Sequence, residues 1–337
     1  MHMYMCTYVY ITRHISYTPI DLYEINFPKV MSLKLRIWKN VSGFAGRCND
    51  IIYSPPKLSK CQDILVYWGG DVQDIQENME QHADSKKYIE WSLENTAKIL
   101  TVNFPNKHIF VVRPKRMHQT SCAMFSCFDN FVPSSEYGIP SITLNHNALK
   151  HLQELLKSSL ELVKASNIDE DPQFSIEKAK LSLVGFSKGC VVLNQLLYEI
   201  YYYQKEYETE TNTEINNTEF NSTEFNNFVK LIKSMWWLDG GHGGLKDAWI
   251  TDIWILRYFS NLRIDVNVHV TPYQVQDPYR QWIRQEERQF CALLMSMNVP
   301  VKRTLHFADK PRSLENHFKI LTVVGDHTAE YRATDPT

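Results

Sequence analysis

No run in this chain reaches the roughly 18 consecutive apolar residues that a membrane-spanning helix needs, so no transmembrane segment is expected. The charge has no dominant sign. With 36 Lys and Arg against 38 Asp and Glu, the formal net charge is -2, which argues against electrostatic capture of nucleic acid or an anionic membrane. The seven cysteines fall into no metal-binding spacing, and Cys122 and Cys127 lie too far apart for a Cys-x-x-Cys redox pair. Reduced thiols are the expectation. No His-Glu-x-x-His pattern occurs, so neither a metal nor a cofactor is expected. The first 20 residues contain no acidic side chain but only one arginine, Arg13. That composition leans towards a transit peptide without the usual arginine richness.

What is present is aromatic and alternating. Eight Trp, 18 Tyr and 16 Phe point to a deep core and an apolar pocket rather than a disordered chain. Residues 63–68 read as a buried strand ending at Gly69-Gly70-Asp71, and 86–103 as an amphipathic helix stopped by Phe104-Pro105. Residues 108–112 read as another strand, 115–143 as an excursion over the sheet, and 146–165 as a helix. Further strands are expected at 234–238, 264–271 and 299–307, with helices at 246–260 and 279–297. Residues 205–227 repeat an Asn/Ser-Thr-Glu unit and read as a disordered surface insertion. The alternation predicts an α/β fold: a mainly parallel central sheet with helices on both faces. Residues 1–58 are assigned to an N-terminal extension, and 59–330 to a single domain.

The chemistry centres on Gly185-Phe186-Ser187-Lys188-Gly189. An apolar strand leads into it and a helical apolar pattern (Val191, Val192, Leu196, Ile200) follows. Gly-x-Ser-x-Gly in a strand–turn–helix frame is the nucleophile elbow of α/β-hydrolases; the plainer alternative is a serine that caps a helix. A serine alcohol needs a base, and the base an orienting carboxylate. In the order Ser, acid, His, the chain offers Ser187, Asp277 and His317. Asp239 is the rival acid, and His242 the strongest rival base, ahead of His306 and His327. The expected oxyanion donors are the Lys188 N–H and the backbone of Gly70 and Asp71. The Lys188 side chain could cap neighbouring carbonyls or meet an anionic substrate group.

Several longer stretches carry a resemblance. They are Tyr67-Trp68-Gly69-Gly70-Asp71-Val72-Gln73, Trp91-Ser92-Leu93-Glu94-Asn95, Ser126-Cys127-Phe128-Asp129-Asn130-Phe131, the elbow through Leu197, Trp237-Leu238-Asp239-Gly240-Gly241-His242, His269 through Val275 with Asp277-Pro278, and Glu315-Asn316-His317-Phe318. Together they resemble an animal family of α/β-hydrolase-like mitochondrial proteins, named in humans after an open reading frame on chromosome 2. The resemblance implies a hydrolase-like fold and a mitochondrial setting. The leading expectation is a serine hydrolase of esterase, lipase or thioesterase type acting on a small-molecule or lipid-like acyl substrate. The competing expectation is a catalytically idle hydrolase-fold scaffold that binds partners through exposed aromatic loops at Phe125, Phe128 and Phe131.

Overall fold

A computed structural model describes residues 35–57, 61–120, 123–166, 174–210, 222–244 and 246–325. Strands β1 (Arg36–Ser42) and β2 (Cys48–Ser54) are followed by β3 (Asp63–Trp68). Helices α1 (Gln76–Gln81) and α2 (Leu93–Asn103) come next, then β4 (Lys107–Val112) and a separate hairpin of β5 (Arg116–Gln119) and β6 (Met124–Cys127). Helix α3 (Ala148–Ala165) precedes β7 (Leu181–Phe186), and α4 (Cys190–Glu210) leaves the turn beyond it. Helix α5 (Ser222–Leu231), β8 (Ile232–Leu238), α6 (Ile253–Ser260) and β9 (Asp265–Val270) continue the chain. Helices α7 (Pro272–Val275) and α8 (Gln281–Ser296), β10 (Val301–Leu305) and α9 (Leu314–Val323) complete the described part.

Among the described residues the main sheet runs β1-β2-β4-β3-β7-β8-β9-β10. The pairs from β4 to β10 are parallel, whereas β1–β2 and β2–β4 are antiparallel. This is the α/β-hydrolase arrangement. The central strands read as unbroken apolar runs because both of their faces are covered. In β3, Ile64, Val66 and Trp68 pack into the layer formed with α3, α4, α6 and α8, while Leu65 and Tyr67 pack against α2 and α9. That alternation is the two-residue period of a strand read by two different helical layers.

Two boundaries differ from expectation. The sheet begins at Arg36, not at residue 59, because β1 and β2 pair antiparallel onto β4. Ile51, Ile52 and Tyr53 are fully buried there. The polar 205–227 stretch is helical at both of its described ends, since α4 runs to Glu210 and α5 starts at Ser222. Phe225 and Phe228 anchor α5 in the core. Residues 211–221, like 1–34 and His327, lie outside the described residues. No helix of the described residues is long and apolar enough to cross a membrane.

The 115–143 excursion folds back onto the sheet. Phe128 and Phe131 are buried, with Phe131 edge-on to Trp68 at 5.5 Å, and Phe125 is half-buried. The aromatic loops therefore serve the core, because rings of this size gain more from burial than they could on the surface.

Candidate active site

The elbow is built by a single tight turn, Ser187–Gly189, between β7 and α4. Ser187 sits at φ 51, the left-handed region, a strained placement for a residue with a Cβ. Gly189 makes that turn possible: a Cβ there would lie 2.1 Å from the Trp68 carbonyl oxygen. Gly185 and Gly189 thus act through close approach of helix and strand rather than through φ.

β8 lies beside β7 in parallel register, with Phe186 opposite Leu238. The residues next along each strand are Ser187 and Asp239, and Asp239 is also left-handed at φ 47. Asp239 is fully buried. Its Oδ1 accepts the Thr271 N–H at 2.7 Å, and its Oδ2 accepts the Thr271 hydroxyl and pairs with His317 Nδ1 at 2.6 Å. His317 lies in the first turns of α9, a helix capped by Ser313, whose hydroxyl accepts the Asn316 N–H. Its ring is held between Phe186 and Tyr273, each at 4.6 Å between centroids. With Nδ1 engaged by the carboxylate, Nε2 has no hydrogen-bond partner among the described residues, the arrangement that a general base requires. Ser187 is 6 % exposed, and its hydroxyl has no hydrogen bond among the described residues.

The structure thus brings His317 to Asp239, not to Asp277. Asp277 accepts hydrogen bonds from Arg312 at 2.6 Å, Arg280 at 2.9 Å and the Tyr279 N–H at 2.9 Å. Burial would raise its pKa, but these donors outweigh it and hold the carboxyl below its usual range. Asp277 reaches His317 only through a relay. Arg312 stacks on Tyr273 at 4.7 Å and donates to the Tyr273 carbonyl at 2.9 Å, and Tyr273 packs on the imidazole.

The other candidate bases make no hydrogen bond to Asp239 or Asp277 among the described residues. His242 is buried and neutral, with its pKa pushed down to about 4. Burial is the main cause; the Asp247 backbone opposes it, and the charges of Lys188 and Arg280 add to it. Its Nδ1 accepts the Gly244 N–H at 2.9 Å, and its Nε2 is buried with no hydrogen-bond partner. His306 Nε2 faces His269 Nδ1 at 2.8 Å on β9.

The oxyanion side needs one correction. The Gly70 N–H is already used, donating to Gln73 Oε1 at 2.8 Å. Gly70 instead lets the loop after β3 pass the serine, since a Cβ there would stand 2.8 Å from Ser187 Cβ. The N–H groups of Asp71 and Lys188 have no partner among the described residues. Gln73 was not singled out by sequence reasoning. It is fully buried and ties the loop together, its amide meeting the Tyr67 hydroxyl, the Trp91 carbonyl and Thr96 as well as Gly70. Thr271, Tyr273 and Arg312 were missed too. Gln73, Thr271 and Tyr273 fall inside stretches already noted for their resemblance, but nothing local in the sequence marks Arg312.

Comparison with known proteins agrees with the motifs. The C2orf69 family profile matches residues 37–171 and 159–300. The mouse mitochondrial protein C2orf69 homolog is 36% identical over 297 residues, covering 76% of each chain. The chain belongs to the C2orf69 family. The human mitochondrial protein C2orf69 is 35% identical, covering 77% of this chain and 73% of its own. Among solved structures, similarity extends to a Pyrococcus horikoshii acylaminoacyl peptidase (TM-score 0.45, 12% identity, 88% of this chain and 40% of that one). It extends also to the esterase Est22 (TM-score 0.43, 12% identity, 86% and 76%). In this C2orf69 family member Cys127 and Cys190, near the elbow, are thiols outside any disulfide among the described residues. Burial pushes the Cys190 thiol far up, so it stays protonated and inert.

Proposed function

We propose that this protein is a serine hydrolase of esterase, lipase or thioesterase type, working in mitochondria on an acyl substrate. The observation that carries the reading is the 2.6 Å contact of His317 Nδ1 with buried Asp239, one strand over from a left-handed Ser187. The mitochondrial setting rests on the names of the mouse and human relatives.

Ser187 Oγ attacks the carbonyl carbon of an ester or thioester while His317 Nε2 takes its proton. Asp239 holds the imidazole by Nδ1–H and stabilises the cation that forms. The carbonyl oxygen gains negative charge and is received by the N–H groups of Lys188 and Asp71. Collapse expels the alcohol or thiol, which collects the proton from His317 and leaves an acyl-serine. Water, deprotonated by the same histidine, then releases the acid and regenerates Ser187.

The test is labelling of the purified full chain by a fluorophosphonate serine probe. Wild type is expected to label, and Ser187→Ala and His317→Ala to lose labelling while keeping the folded far-UV and near-UV spectra. Absence of labelling in folded wild type would overturn the reading in favour of an idle scaffold.

A further inference from the structure

Lys188 is a buried cation that the catalytic cycle above uses only through its backbone. Its side chain is 3 % exposed, a degree of burial that charged groups tolerate only with partners. Yet among the described residues a single carboxylate, that of Asp71, answers its charge and takes a side-chain contact from it. Its ion-pair partner is Asp71 Oδ1 at 3.6 Å, an oxygen that already accepts the Ser126 N–H at 2.8 Å. An ammonium carries three donors, and here they are loosely served. Asp71 is itself a poor counter-ion, because burial raises its pKa against the pull of Lys188, while 30 % of its side chain stays open.

The surroundings place this charge beside the reacting atoms. Lys188 directly follows Ser187, and Asp71 directly follows Gly70, whose Cα packs against Ser187 Cβ. The hairpin side closes over the ammonium with the Phe125 ring at 5.6 Å and with Gly138. Gly138 packs closely there: a Cβ on it would lie 3.1 Å from Cys127 Sγ, 3.3 Å from Phe125 Cβ and 3.4 Å from Nζ. Nearby, on the loop after β8 and on α7, His242 Nε2 and Gln274 Oε1 are also buried without partners.

We infer that Lys188 is a specificity determinant, and that the substrate carries an anionic group close to its scissile carbonyl that docks on the Lys188 ammonium beneath the β5–β6 hairpin. This rests on the serine-hydrolase reading. In the empty site Asp71 keeps the ammonium in place. In the loaded site the anion takes the unserved N–H donors, where low water content strengthens the contact. A neutral acyl chain of the same length leaves the ammonium unserved and gains none of this, so it is the disfavoured substrate.

The experiment compares two fluorophosphonates of equal tail length on the full chain, one ending in a methyl group and one in a carboxylate, reading the second-order rate of Ser187 labelling. The carboxylate probe is expected to react at least about tenfold faster in wild type, the value of one charge-assisted hydrogen bond. Lys188→Met is expected to abolish or invert that ratio, whatever it does to either rate alone. Equal or faster labelling by the methyl probe in wild type overturns the inference and leaves the hydrolase reading intact. No labelling by either probe removes the hydrolase reading, and this inference with it.

Discussion

The loops after β8 and β9 each present an aspartate near the carboxyl edge of the sheet, and they put it to different uses. Asp239 follows β8 at once, in a left-handed conformation, and is buried between Thr271 and His317. Asp277 lies seven positions beyond the end of β9 at Val270, past the short helix α7, and is clamped by Arg280 and Arg312. A carboxylate that orients a base must be desolvated and single-minded, since every competing cation divides its field. Asp239 meets that requirement, whereas Asp277 is already neutralised by two guanidinium groups. The difference teaches that the distance of an acid from its strand, and what else reaches it, matters more than its order in the chain.

The sharpest way to break this contrast is Asp239→Asn. The amide keeps the shape but favours the wrong imidazole tautomer, and kcat is expected to fall by about 10³–10⁴, read with any ester that wild type turns over. Asp277→Asn is expected to cost less than about tenfold in kcat. It should instead lower stability by about 1–2 kcal/mol, because Arg280 and Arg312 lose charged partners at a half-buried site; urea unfolding with Ser187→Ala as reference checks it. If the two kinetic effects come out reversed, Asp277 is the orienting acid.

A pH-dependent effect concerns His242, in the same loop as Asp239. Its pKa is lowered from 6.5 to about 4 in the folded protein, so the unfolded chain binds a proton that the native state refuses. Its contribution is fully present above pH 6.5 and is lost as pH falls towards 4, by up to roughly 3 kcal/mol. His242→Asn keeps an acceptor for the Gly244 N–H and removes the titration. Unfolding midpoints across pH 7 to 4 are expected to fall less steeply in the variant than in wild type, by about that amount.

Much of this site can be read from local pattern. The elbow at Gly185–Gly189 and the strand before it are legible because a strand, a tight turn and a helix each impose their own spacing on adjacent residues. His317 is legible for a related reason: it follows the last strand, where loops converge on one crevice. Strands β1 and β2 escaped notice, because short antiparallel strands carry little periodic signal and are defined by pairing onto β4. The role of Gly70 was misread for a similar cause. A glycine's N–H looks available until Gln73, three residues on, folds back and takes it.

By itself, then, the amino-acid sequence determined the central strands from β3 onward and the strand–turn–helix elbow that carries Ser187, since these follow from side-chain period and backbone sterics over a few neighbouring residues. Only the tertiary structure placed Asp239 rather than Asp277 against His317, and buried the Lys188 ammonium against Asp71. Those outcomes depend on contacts across long sequence separations, such as the 78 positions between Asp239 and His317. No local pattern encodes which of two similar side chains the folded sheet will bring within hydrogen-bond reach.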